Sequence, residues 1–196
     1  CSTYILLQAF ERLGSDVDFE IPDRIKDGYG INESIIEQAH ADGVEVILTC
    51  DNGISAFHQV ELAKKYGMTV VITDHHEVPL DGEKEKIPPA DAVIDPKQAD
   101  CPYPFPEICG AVVAYKLVQV LYARRGVPQM EWLDLLEFAA IATVGDVMKL
   151  QDENRILVKY GLKKMAQTKN LGLRRLAEKN NLDLGAITAY HIGFVI

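Results

Sequence analysis

Two short β-branched runs do most to limit what this chain can fold into. Residues 44–49 and 68–73 are continuous apolar stretches of buried-strand type, and residues 55–66 between them have the length and periodicity of a helix stopped by Gly67. Strand, helix and strand in that order form a crossover unit, which is right-handed and makes the strands parallel neighbours. The alternation extends upstream. Tyr4, Ile5, Leu6, Leu7, Phe10 and Leu13 outline a helix stopped by Gly14; Val17, Phe19 and Ile21 alternate like a strand ending at Pro22; a helix over 33–41 closes at Gly43. The expected fold class is α/β, with a doubly wound, mainly parallel sheet.

A further strand is expected at 92–95, inside a segment (87–107) that holds six of the nine prolines. Tyr103 and Phe105 in the same segment make it a structured loop region rather than a linker. Beyond it the pattern is helical, over 111–123, 129–143, 154–167 and 171–180, with another start at 186. The chain therefore reads as one domain over 1–196, with an α/β sheet portion (1–100) and a mainly helical portion (101–196).

Charge is divided the same way. The formal net charge is −9, which taken alone speaks against a polyanionic partner. Residues 1–100, however, carry 8 basic and 20 acidic side chains, a balance of −12, whereas residues 101–196 carry 12 and 9, a balance of +3. Eight cations fall between Arg155 and Lys179 with Glu178 as the one acid, so a local cationic surface fits within an acidic chain. The four cysteines show no CxxC spacing, and Cys50 in its apolar run suits a reduced, buried thiol. These features point to a cytosolic setting without structural zinc. No apolar stretch approaches the roughly 18–20 residues of a membrane span. The first residue is Cys1 and the last residues are apolar, so the sequence reads as a fragment cut at both ends, without a signal peptide.

The chemistry sits where the strands stop. One strand runs into Asp51-Asn52-Gly53 and the next into Asp74-His75-His76-Glu77. Parallel strands share a carboxyl edge, the usual ligand position in open α/β sheets, so Asp51, Asp74, His75 and His76 are expected to converge there. Separately, Asp-Asn-Gly is a common turn and Asp-His-His a common helix cap. On neighbouring strand tips they form a set of carboxylates and neutral imidazoles suited to Mn²⁺ or Mg²⁺. Asp146 is a further candidate ligand. It follows an apolar helix containing Ala139, Ala140 and Ala142, small residues that permit close approach to the sheet, and a buried carboxylate requires a partner such as a metal.

Ile72-Thr73-Asp74-His75-His76-Glu77-Val78-Pro79 resembles the signature of the DHH phosphoesterase superfamily. Ile21-Pro22-Asp23-Arg24 with Gly28-Tyr29-Gly30, Thr49-Cys50-Asp51-Asn52-Gly53-Ile54, Val93-Ile94-Asp95-Pro96-Lys97, Gly110-Ala111-Val112-Val113-Ala114-Tyr115-Lys116 and Ala142-Thr143-Val144-Gly145-Asp146-Val147 resemble, in order, its RecJ-like exonuclease branch. The resemblance implies a two-metal phosphodiesterase, using Mn²⁺ or Mg²⁺, that degrades single-stranded DNA from the 5′ end in repair and recombination. Asp51 would bridge both ions about 3.5–4 Å apart, His75 and Asp146 would complete one ion's shell, His76 would contact the scissile phosphate, and Asp74 would orient a histidine. Single-stranded-DNA-binding protein and a helicase are the partners it implies, in the bacterial cytoplasm.

The branch's first Asp-rich metal motif would precede Cys1 and its C-terminal associated domain would follow Ile196, so an impaired metal site is expected of residues 1–196 alone. For DNA contact, Arg24 offers a bidentate phosphate partner. Arg155, Lys159 and Lys163 lie at i, i+4 and i+8 on one helix face, which suits a phosphate track and a solvated face equally. Tyr29, Tyr103 and Phe105 are candidates for base stacking or for anchoring loops. Within the superfamily the alternatives are a small-substrate phosphodiesterase (nanoRNA or cyclic dinucleotide) and a manganese pyrophosphatase. Outside catalysis, the alternative is a DHH binding module.

Overall fold

A computed structural model describes residues 1–22 and 30–195. In chain order its elements are helices α1 (Ser2–Arg12) and α2 (Glu33–Ala41), strand β1 (Val46–Cys50), helix α3 (Phe57–Lys65), strands β2 (Thr69–Thr73), β3 (Leu80–Asp81), β4 (Lys84–Glu85) and β5 (Ala92–Ile94), then helices α4 (Gly110–Arg125), α5 (Gln129–Leu133), α6 (Leu136–Gly145), α7 (Asp152–Met165), α8 (Leu171–Lys179) and α9 (Ala189–Phe194). A 3₁₀ turn, Leu184–Ala186, precedes α9. The chain divides into two compact units, Val17–Pro106 and Cys1–Asp16 with Glu107–Ile196.

The first unit is α/β. Its sheet is parallel in the order β1-β2-β5. Ile36 of α2 and Val60 and Ala63 of α3 pack with Met68, Val70 and Ile72 into one buried cluster. Burying a side chain such as Ile72 contributes about 1.5–3 kcal/mol. The register sets Cys50 opposite Thr73 and Thr73 opposite Ile94, so the residues that follow, Asp51, Asp74 and Asp95, stand in a row along the carboxyl edge. No helix connects β2 to β5. The antiparallel pair β3-β4 lies between them, turning at Gly82 with φ +65°.

The expected strand at 17–21 is absent. Phe19 and Ile21 are exposed and no described strand pairs with the segment, so their alternation has neither a ladder nor a face to bury. Arg24, Gly28 and Tyr29 lie outside the described residues.

The second unit is helical, and α1 belongs to it, packing on α4 and α6. The expected 129–143 helix is two helices. Their break, at Asp134 and Leu135, carries no Gly or Pro; Asp134 is anchored by Lys164 Nζ at 2.5 Å. Helices α6 and α7 meet closely at Gly161, where an added Cβ would lie 2.3 Å from Ala140 Cβ and 2.9 Å from the Leu136 carbonyl oxygen. The small residues of α6 thus serve contact with α7. Met165, Ile187 and Ile192 bury a smaller cluster nearby. Among the described residues no helix is long and apolar enough to cross a membrane.

Helix α6 ends on a double hydrogen-bonded cap. The Val147 N–H donates to the Val144 carbonyl and the Met148 N–H to the Thr143 carbonyl, each at 3.1 Å. This Schellman arrangement needs a left-handed residue just past the cap residue, a position that glycine usually fills. Here it is Val147, at φ +55°. A non-glycine residue pays roughly 1–2 kcal/mol for that conformation.

Candidate metal centre

At the tip of β1 the backbone must reverse within three residues. Asp51 takes φ +62°, a left-handed conformation that aspartate tolerates better than most residues. Gly53 follows at φ +118°, and a Cβ there would stand 2.6 Å from Thr49 Oγ1 and 3.0 Å from Ile72 Cγ2. Glycine is therefore required both by the angle and by the space. The turn is fixed by Thr49 Oγ1, which donates to the Asn52 carbonyl at 2.8 Å, and by Asn52 Nδ2, which donates to the Cys50 carbonyl at 3.0 Å.

The tip of β2 is organised around a buried carboxylate. Asp74 is 1% exposed. Its Oδ2 accepts the Ile54 N–H at 2.9 Å, which ties it to the β1 turn, and its Oδ1 accepts the His75 N–H at 2.8 Å. Oδ1 also lies 2.6 Å from His76 Nδ1. With Asp74 held at Nδ1, His76 presents Nε2 on the far side of the ring, a ligand atom when the ring is neutral and a donor when it is protonated. His75 Nε2 lies 3.1 Å from Asp51 Oδ1. That hydrogen bond, with the added charge of His75 and His76, holds the Asp51 carboxyl below the usual carboxylate range against the opposing effect of partial burial.

One ligand atom from each of Asp51, His75 and His76 falls within 4.8 Å of the others. One carboxylate oxygen and two imidazole nitrogens at this spacing fit a divalent cation, and Asp74, bonded to His76, supplies the orienting partner that such ligands ordinarily have. Asp51, Asp74, His75 and His76, expected to converge, do lie together.

Asp95, to which the sequence reasoning assigned no role, closes β5 as Asp51 and Asp74 close β1 and β2. It is 1% exposed. Its Oδ1 accepts the Lys97 N–H at 2.9 Å, while Oδ2 is buried without a hydrogen-bond partner. Burial first, and the charge of Asp74 after it, push its carboxyl up to about 6. The signal was available: the strand-tip rule that picked out Asp51 and Asp74 applies equally to the third strand.

Asp146 lies in the helical unit, as the cap residue at the end of α6, its N–H donating to the Ala142 carbonyl at 2.8 Å. It is exposed, not buried as expected, because the chain leaves the helix at that point. A carboxylate at a helix C-terminus faces the negative end of the dipole, an arrangement a bound cation offsets. Its neighbour Cys109 is buried and its thiol sits above the usual range through desolvation, with Thr143 Oγ1 at 3.6 Å. Cys50 is half-buried rather than fully buried. Arg155, Lys159 and Lys163 are exposed on α7, and the Nζ atoms of Lys159 and Lys163 stand 6.0 and 5.5 Å from the Tyr160 ring centroid. Tyr103 and Phe105 are half-buried.

Comparison with known proteins places this geometry in context. The model of the DHH family, N-terminal domain, matches residues 1–143. The single-stranded-DNA-specific exonuclease RecJ of Bacillus subtilis is 39% identical over 193 residues, covering 98% of this chain and 23% of the relative. RecJ of Escherichia coli is 35% identical, covering 100% and 35%. A crystal structure of exonuclease RecJ bound to manganese superposes with a TM-score of 0.84 at 32% identity, covering 98% of this chain and 46% of that one. RecJ of Thermus thermophilus in complex with Mn²⁺ gives 0.77 at 30%, covering 98% and 26%. The chain thus spans between 23% and 35% of the length of these curated relatives.

Proposed function

Because the chain belongs to the DHH family, we propose that it is the core of a metal-dependent exonuclease that removes nucleotides from the 5′ end of single-stranded DNA, in repair and recombination in the bacterial cytoplasm. The observation that carries this reading is the convergence of Asp51, His75 and His76 at the strand tips, with Asp74 bonded to His76. In this reading Asp51, His75 and Asp146 would hold divalent ions, Mn²⁺ or Mg²⁺, with Asp51 the ligand that two ions would share. When bound, the ions polarise the phosphodiester and make a water more acidic.

The remaining work falls to the chain's own groups. His76 faces the scissile phosphate and, when protonated, adds positive charge against the oxygens that gain it in the transition state. Asp74 holds His76 through Nδ1. Arg24, Arg155, Lys159 and Lys163 contact DNA phosphates, and single-stranded-DNA-binding protein and a helicase are the partners in the whole protein. The small-substrate and binding-module readings are not favoured: the relatives matched along the whole chain are single-strand-specific exonucleases, and the carboxylate and histidine set is intact.

The test is degradation of a 5′-labelled oligonucleotide by the native protein. With Mn²⁺, labelled mononucleotide is expected from single strands and not from blunt duplex, with loss of activity on chelation. Asp74→Asn, which disturbs the His76 tautomer, is expected to cost roughly 10–100-fold. Faster cleavage of a cyclic dinucleotide than of DNA would transfer the assignment to the small-substrate reading.

A further inference from the structure

The helical unit carries a groove of about 460 Å³ between α4, α5, α6 and α7. Its walls include Met130, Trp132, Leu136, Ile156 and Tyr160, and of these Met130, Ile156 and Tyr160 are exposed. Tyr115 lines it too although only 1% exposed, set edge-on to Trp132 with ring centroids 5.8 Å apart. The Tyr115 hydroxyl is buried and makes no hydrogen bond among the described residues; Gln119, also in the lining, stands near it without reaching hydrogen-bonding geometry. Burial pushes this phenol up, so at neutral pH it is a proton donor. A buried donor without an acceptor is costly, and such groups ordinarily have a partner. The charge of the groove has one sign. Lys163 and Lys164 belong to the lining, which holds no carboxylate, and Lys164 is already engaged by Asp134. The occupant that fits must combine apolar faces, an acceptor at its buried edge and an attached anion. An aliphatic anchor from a protein would leave the Tyr115 hydroxyl unpaired, whereas a nucleobase has π-faces, edge acceptors and a phosphate on either side. In a duplex those faces and edges are stacked and paired, so only an unpaired base can enter.

We propose that this groove is a nucleobase subsite for single-stranded DNA, in which one unpaired base sets its edge on the Tyr115 hydroxyl and its faces against the apolar walls while Lys163 meets the adjoining phosphate. The inference rests on the exonuclease reading above. It adds a means of choosing unpaired strands that lies wholly within the helical unit and touches no metal.

Binding of the native protein to a fluorescent single-stranded oligonucleotide, measured in chelator so that nothing is cleaved, tests this. Tyr115→Phe keeps the ring and removes the donor. Affinity is expected to fall about 3–10-fold with the thermal midpoint no lower, and the same substitution should leave binding of an abasic strand of equal length unchanged. With 5-iodouracil in the strand, irradiation should join the DNA to Trp132 or Tyr160, as located by mass spectrometry of the peptides. Unaltered affinity, or an equal loss on the abasic strand, overturns the inference, and so does the absence of crosslinks to both residues. A lowered thermal midpoint overturns it as well, by showing that the hydroxyl has a partner within the protein. Protection of α5 and α7 from hydrogen exchange by an acidic, phenylalanine-bearing peptide and not by DNA would make the groove a protein-docking site and overturn it too. A wild type that degrades single strands but fails these measurements fails the inference alone. One that passes them without degrading DNA fails the exonuclease reading alone.

Discussion

Asp95 links burial to pH. Its carboxyl, raised to about 6 from an ordinary 3.8, holds its proton longer in the folded than in the unfolded chain. Between those values the folded state binds more protons, so stability falls as pH rises through the window. Below pH 3.8 the residue contributes nothing, and above about 6 its full cost is present. Asp95→Asn keeps an acceptor for the Lys97 N–H and removes the charge. In chelator, urea denaturation is expected to show a gain of roughly 1–3 kcal/mol at pH 7 and little at pH 3.5; equal gains at both would contradict the assignment. Asp51 and Asp74 were legible in the sequence because each ends a strong apolar run. Asp95 follows an expected strand too, but went unassigned because that run, three residues among prolines, is shorter than the other two.

At the scale of elements, the contact between α6 and α7 depends on the missing side chain of Gly161. Gly161→Ala would drive a methyl group into Ala140 and the Leu136 carbonyl. Overpacking of this kind costs typically 1–3 kcal/mol, more than the gain in helix propensity of about 1 kcal/mol, so a lower midpoint in urea is expected. A rise would mean that the helices separate freely. Elements with a strong period were read correctly: α2 falls on the expected residues, and β1, β2 and α3 within two of them. The failures have physical causes. The strands β3 and β4 are two residues each and largely polar, leaving no period to detect. The α5–α6 break holds the Asp134–Lys164 pair, whose partner thirty residues away no local pattern announces. Phe19 and Ile21 alternate as strand residues do, but a strand exists only where another strand pairs with it.

Across the whole molecule, net charge misleads where its distribution informs. The acidic surplus of −12 lies in residues 1–100, which hold Asp51 and Asp74, while residues 101–196 carry the excess of cations. Neither Lys159 nor Lys163 makes an ion pair among the described residues, and Tyr160 stands between them. Replacing both lysines by alanine is expected to flatten the salt dependence of single-stranded DNA binding by about 1.4 in the log–log slope. An unchanged slope would make that helix face merely solvated.

The strand tips are also bonded sideways. The Asp51 N–H donates to the Thr73 carbonyl, the Asp74 N–H to the Ile94 carbonyl, and the Thr73 hydroxyl to the Thr49 carbonyl. Asp51 and Asp74 are thereby each tied to the neighbouring strand's ladder. An ion gripped by these residues, binding the folded state alone at a hundred times its dissociation constant, would lend the fold about 2.7 kcal/mol. Spread through the shared ladder, that energy would reach all three strands, making the cation a rivet of the sheet as well as a reagent.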